Sequence, residues 1–298
     1  MPDAPHRYQS RDEDSARWLR LPPRSGDIVI STRSKHGTTW TQAIVALLVL
    51  QTPDLGAPLH ELSPWVDWLV VPEAEMHARL AAQSHRRVMK THTPLDGIPL
   101  RPDTRYIVAA RHPLDAAVSL YHQGNNLDHD RIRALVGAPR PEPGSKPKPP
   151  WPLAQWLAGW IRREAGPRDD LDALPGVMHH LGDAWNRRDQ PNLLLVHYAD
   201  LAADLEREMR RIADWLEIEV DPERWPELVK AATFADMKSK ADRFAPDPSG
   251  VMKSREAFFR RGGSGAAAEV LSEADLECYS ERVRTMGPPE LIEWLNRP

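Results

Sequence analysis

The chain has 298 residues, enough to bury a substantial core in one large α/β domain or two small ones. A formal net charge of −4 lacks the basic excess that marks nucleic-acid binders, and the single cysteine, Cys278, excludes an internal disulfide and suits a reducing compartment. The opening MPDAPHRYQSRDEDSARW has no apolar core of a signal peptide, and the longest apolar run, Ala43 to Leu50, is far too short to span a bilayer, so a soluble cytoplasmic protein without a transmembrane segment is expected.

Residues 1–26 read as an exposed arm with a short helix around Ser15–Leu19. Asp27–Ile30 is a short β-branched run with the look of a buried strand, and Ser31–Gly37 is a polar turn. From Thr38 to Leu50 an apolar helix is predicted, with Trp40, Ile44, Leu47 and Leu48 at helical spacing. Strand, turn and helix in this order make an anion-binding geometry, because the first N–H groups of a helix lack internal partners and carry the positive end of its dipole. Lys35 adds a mobile positive charge, and Thr38 and Thr39 add hydroxyl donors. A nucleotide triphosphatase loop places its Lys after the last Gly; here Lys35 comes two residues before Gly37.

Residues 52–72 are rich in Pro and apolar groups, and Trp65 and Trp68 there suit either core packing or a share in acceptor binding. A helix over Glu73–Gln83 precedes a second strand, Arg87–Thr91, whose carboxyl end carries His92, at the edge where ligands gather in open parallel sheets. A third strand, Arg105–Ala110, leads to Arg111, to Pro113 in a first helical turn, and to the helix Leu114–His122 with Ser119. An Arg fork plus a hydroxyl is a good grip on a phosphate. Residues 126–152 are irregular and Pro-rich in their second half, either a mobile lid over the acceptor site or a disordered insertion.

Helices over Leu153–Arg163 and Gly176–Arg188, a fourth strand over Asn192–His197 ending at Tyr198, and a helix over Leu201–Leu216 follow. By itself the stretch RRGGSG, from Arg260 to Gly265, is a flexible basic loop. Helices over Ser272–Met286 and Pro289–Leu295 close the chain, and no clustered set of metal ligands stands out.

Five fragments, in order between residues 27 and 265, resemble the motifs of the cytosolic-type sulfotransferases. SKHGTTW is similar to the PKSGTTW phosphosulfate loop, KTHTPLDG to the KTHLP segment, and YIVAARHPLDAAVSLYHQ to the 3′-phosphate segment RNPxDxxVSxYH. AATFADMK is similar to TSFxxMK, and FFRRGGSG to FxRKGxxGDW. The strings SPWxD, KTHTPLDG and FFRRGGSG look most like bacterial members, some regarded as glycolipid sulfotransferases.

The resemblance implies a single α/β domain over 27–298, with a central parallel sheet of four or five strands, helices on both faces and a P-loop-like turn. It implies transfer of a sulfuryl group from 3′-phosphoadenosine 5′-phosphosulfate (PAPS), without a metal, to a small-molecule or glycolipid hydroxyl. His92 corresponds to the family's general base, and Lys35 with the loop N–H groups would stabilise the leaving phosphate. Lys35, His36, Gly37, Thr38 and Thr39 match the phosphosulfate loop, and Arg111, Ser119, Arg260, Arg261 and Gly262 match the 3′-phosphate site. Trp40 and Phe234 would sandwich the adenine, with Tyr198 on the adenosine.

The chain departs from the pattern at His36, where the family has Ser, at Arg261, where it has Lys, and at Ala266–Ala267 in place of GDW. A protonated His36 would add positive charge beside the sulfate. The C-terminal dimer motif KxxxTVxxxE is not evident near Ala266–Glu277, so no oligomeric state is implied. The rival readings are a P-loop nucleotide kinase and a nucleotide-binding module that has lost catalysis.

Overall fold

The computed structural model describes residues 4–139, 150–247, 249–260 and 262–297. Four strands, β1 (Ile28–Ser31), β2 (Val88–Thr91), β3 (Arg105–Ala110) and β4 (Leu193–His197), form one parallel sheet in the order β2-β1-β3-β4. Ile28 pairs with Val88 and Arg105, and Tyr106 with Leu193, so the strands end together at one carboxyl edge.

Period-two alternation divides the strand residues between two cores. Val29, Met89, Tyr106 and Val108 face one layer, built with the helices Leu153–Arg162, Leu174–Asn186 and Glu273–Arg284. Ile28, Ile30, Val88 and Ile107 face the other, built with the helices Thr38–Leu50, Leu205–Trp215 and Trp225–Ala231. Both faces are covered, which is why the strands read as apolar runs instead of alternating with polar residues. Helix Thr38–Leu50 is buried from Thr38 to Leu48 except at Trp40.

Three expectations change. Residues 4–26 are not an exposed arm: Tyr8 is buried, its hydroxyl donating to Asp96 at 2.8 Å, and Trp18 joins the core. Asp14 N–H donates to the Asp67 carbonyl and Leu69 N–H to that of Asp12, tying the segment to the loop that carries Trp65 and Trp68. The helix expected over Leu201–Leu216 is two, Tyr198–Ala203 and Leu205–Trp215, because Asp204 leaves helical geometry and its carboxylate caps Arg207 N–H at 3.1 Å. Within the irregular stretch, His129–Leu135 is helical, capped by Asp128. Most of the Pro-rich half, 140–149, lies outside the described residues, and so does the choice between lid and insertion.

At the sheet's other edge Arg87 donates to both carboxylate oxygens of Asp27, at 2.8 and 2.5 Å, with both side chains buried. Breaking such a pair strands a charge in the interior. Asp27→Asn is expected to cost about 3–5 kcal/mol, read from urea unfolding, and Asp27→Asn with Arg87→Met to recover most of it. A single variant within about 1 kcal/mol of the parent, inside the range for a surface pair, would show that the pair contributes little.

Candidate active site

The carboxyl edge of the sheet opens into a cleft of about 1530 Å³, counted with its mouth. The turn from β1 into helix Thr38–Leu50 forms its floor. Gly37 adopts φ 97° and packs where a Cβ would lie 3.3 Å from the Tyr198 ring, so a side chain there meets both strain and crowding. Lys35 is also left-handed, at φ 68°, an uncommon conformation for a residue with a Cβ. Gly37, Thr38, Thr39 and Trp40 line the cleft at the helix start, where backbone N–H groups lack intrahelical acceptors.

Lys35 is less mobile than its expected role suggested: its ammonium lies 4.0 Å over the Phe258 ring. Burial, with Arg111, Lys90 and Arg260 nearby, pushes it from the ordinary 10.5 down to about 7.

His36 faces away from the cleft. The ring is buried, its Nδ1–H donates to the Ser34 carbonyl at 3.0 Å, and burial pushes it down to about 4. It is therefore neutral at physiological pH, and the expected positive charge beside the sulfate does not arise.

His92 lies past the end of β2. Its Nδ1–H donates to the Thr32 carbonyl at 2.5 Å, which fixes the tautomer and leaves the Nε2 lone pair as the basic atom. Burial, with Lys90 and Arg33 nearby, holds the imidazole well below its usual range, so it is neutral. Arg33, itself buried, donates to the His92 carbonyl and to Asp172, at 2.5 Å for the latter. Trp65 meets His92 edge-on at 4.6 Å and stacks on Trp68 at 4.9 Å. Both tryptophans line the cleft, which favours a role beyond core packing.

Across the sheet, Arg111 donates to Ser119 Oγ at 3.3 Å and to the Gly263 carbonyl at 2.6 Å, and stacks 4.3 Å over Tyr198. Arg260, Gly262, Phe234 and Trp40 share this end of the cleft. A Cβ on Gly262 would lie 2.9 Å from the Phe234 ring, and its φ of 66° also favours glycine. Trp40 is fixed by Nε1–H donation to the Ala232 carbonyl at 2.8 Å. The structure thus gathers Lys35, Gly37, Thr38, Thr39, Trp40, His92, Arg111, Ser119, Tyr198, Phe234, Arg260 and Gly262 around one cleft. His36 is turned away, and Arg261 lies outside the described residues.

Sequence reasoning missed four charged groups: Lys90, Arg33, Glu13 and Asp172. Lys90 had a signal, since it lies only two residues before His92 at the carboxyl end of the strand, and both line the cleft. Glu13 and Asp172 had none, because only tertiary packing brings them to this wall. Among the described residues no group of three or more His, Cys, Asp or Glu could hold a metal ion, and no helix is long and apolar enough to cross a membrane.

A family model described as a sulfotransferase domain matches residues 25–286. A glycolipid sulfotransferase of Mycobacterium bovis is 41% identical over 303 residues, covering 96% of this chain and 93% of that protein. One from Mycobacterium tuberculosis is 40% identical with the same coverage. Mouse sulfotransferase 1B1 is 28% identical over 80% of this chain and 74% of its own length. Among solved structures, retinol dehydratase with androsterone and the inactive cofactor PAP matches with a TM-score of 0.66 at 20% identity, over 91% of this chain and 83% of that one. Mouse sulfotransferase SULT7A1 with PAP matches with 0.65 at 19%, over 94% and 91%. These two show a shared fold.

The depressed Lys35 ammonium has a measurable consequence. With Lys35 carrying an isotopic label on Cε, its resonance is expected to titrate near pH 7 in the free protein. An anion seated on the turn favours the charged form, so binding takes up a proton, and affinity falls as pH rises through about 7. Titration near the ordinary 10.5 would remove the buried-amine account.

Proposed function

The chain belongs to the sulfotransferase family, and from that membership we propose that it moves a sulfuryl group from PAPS to an acceptor hydroxyl, releasing adenosine 3′,5′-bisphosphate (PAP). The observation that carries this reading is one cleft holding both the Lys35–Thr39 anion turn and a neutral histidine with a fixed tautomer. His92 Nε2 takes the hydroxyl proton as the acceptor oxygen bonds to sulfur. The bond from sulfur to the phosphate oxygen breaks, and its electron pair stays on phosphate. Lys35 and the first N–H groups of helix Thr38–Leu50 hold that charge where it develops.

Arg111, Ser119, Arg260 and Gly262 read the 3′-phosphate, with Arg261 assigned to the same group; Trp40, Phe234 and Tyr198 hold the adenosine. Arg111 already carries a hydroxyl and a carbonyl partner, so its fork is oriented before the nucleotide arrives. Family membership sets aside the kinase reading. With His36 turned away from the cleft, the reason for an inactive module falls too.

The curated mycobacterial relatives are glycolipid sulfotransferases, and a glycolipid is the proposed acceptor here. The half-buried lone cysteine suits a reducing compartment, and the cytoplasm is the proposed location.

Two measurements test the assignment. His92→Ala is expected to lose turnover by about two to four orders of magnitude while PAP affinity, read by calorimetry, stays near that of the parent. A His92→Ala protein with parental turnover would take His92 out of the mechanism. PAP is expected to bind far more tightly than AMP, with Arg111→Ala erasing most of the difference; equal binding of PAP and AMP to the parent would overturn the 3′-phosphate site.

A further inference from the structure

A buried cation stands in the turn after β1 with no part in the proposed transfer. Arg33 is 2% exposed, is not among the residues that line the cleft, and reaches two other segments of the chain. Its Nη1 donates to the His92 carbonyl beyond β2, and its Nη2 donates to Asp172 Oδ1 at 2.5 Å, in the loop before helix Leu174–Asn186. The residue before it, Thr32, accepts from the His92 ring. Two consecutive residues therefore grip His92, one at the imidazole and one at the backbone. Among the described residues no other donor reaches the His92 carbonyl.

Packing alone does not account for this side chain. A buried guanidinium costs desolvation free energy, and among the described residues its Nε–H has no hydrogen-bond acceptor. Its carboxylate partner is about half exposed, which weakens what the ion pair returns. What the arrangement provides is geometry, because the planar fork holds its two acceptors at fixed angles. Thr93 is fixed separately, its carbonyl accepting from Ser31 Oγ at 2.8 Å and its hydroxyl donating to Asp67 at 2.6 Å. Charge is the second consequence. The groups facing the His92 ring are Lys90 on its own strand, Arg33 from the neighbouring turn and His180 from helix Leu174–Asn186. Arg33 is itself faced by Asp172 and by Glu13 of the N-terminal segment. Arg33 and Lys90 both oppose a proton on His92, so Arg33 also helps to keep the ring neutral.

We propose that Arg33 is a positioning residue for the transfer: it holds the His92 backbone against the anion turn, with Asp172 setting the fork, and so places the proposed base. This rests on the sulfuryl-transfer reading and adds to it a residue that acts only through His92. The loop that carries Asp172 is then tied to the turn that carries Lys35.

One arm of the test needs no turnover. With histidine isotopically labelled in the PAP-loaded protein, the His92 ring nitrogens are expected to show a neutral ring protonated on Nδ1. In Arg33→Met the opposing charge is gone, so His92 takes up its proton at a higher pH than in the parent. The second arm is turnover, with octyl β-glucoside as the acceptor probe. Arg33→Met is expected to lose about 10- to 100-fold in kcat, the scale for a misplaced catalytic group, with PAP affinity near the parent's. The acid limb of its kcat/KM profile moves up with the His92 titration, which a merely structural role would not produce. Arg33→Lys keeps the charge and loses the fork, so it is expected to hold the parental titration and to recover only part of kcat. Parental kcat in Arg33→Met, or a His92 titration that does not move, overturns the proposal. If Arg33→Met does not fold, as lost PAP binding would report, the half-exposed Asp172 decides. Asp172→Ala frees one end of the fork and is expected to lower kcat by a smaller factor; parental kcat and unchanged His92 resonances there overturn the proposal. A His92 ring that responds to Arg33 as stated, in a protein that never sulfates an acceptor, would instead count against the transfer reading.

Discussion

The hydrogen bond from His92 Nδ1 to the Thr32 carbonyl joins the ends of two neighbouring strands, and the cleft's chemistry depends on it. Ser31 pairs with Thr91 in register, so the next residue of each strand leaves the sheet side by side. Thr32 then enters the turn whose residues Lys35, Gly37, Thr38 and Thr39 line the cleft, and His92 lines the same space. The carbonyl that orients the proposed base thus belongs to the turn that would hold the leaving group. A parallel sheet covered on both faces leaves its carboxyl edge as the place where polar ends converge, and this register puts His92 beside the turn.

The second organising term is charge. The chain carries a formal net charge of −4, yet Lys35, Lys90, Arg111 and Arg260 all line one cleft. Burial, with the neighbouring cations, depresses the Lys35 ammonium to about 7, and burial depresses that of Lys90 to about 8 against the pull of Glu13 and Asp67. Such a site is unfavourable when empty and is relieved by a polyanion, so the electrostatic gain of binding is set up during folding. Carboxylates gather near Lys90, where Asp67 takes the Thr91 and Thr93 hydroxyls at 2.5 and 2.6 Å and Asp172 takes Arg33.

Much of this was legible in the sequence where local rules act alone. The helix Thr38–Leu50 and the strand Arg105–Ala110 coincide with their predicted spans, because an apolar run between polar turns is a short-range signal. His92 and Arg111 were legible as strand-end residues. Less legible was anything set by packing across the chain. Tyr8 is anchored to Asp96 and lies close to His179 through contacts 88 and 171 residues away, which no window of sequence reveals. The break at Asp204 was missed because the apolar stripe continues through it, and a cap residue there outweighs the periodicity.

His36 shows why a departure from a motif need not change the chemistry. The family's Ser offers a hydroxyl, but the groups proposed to hold the anion are backbone N–H groups and Lys35, and neither depends on the side chain at 36. Packing turns the imidazole inward, where its Nδ1–H donates to the Ser34 carbonyl, just ahead of the left-handed Lys35. A residue at Lys35's φ of 68° needs such neighbours to hold it, since the conformation is unfavourable for a side chain with a Cβ. The histidine therefore supports the shape of the turn, and the site loses one side-chain donor while keeping the geometry that presents the rest.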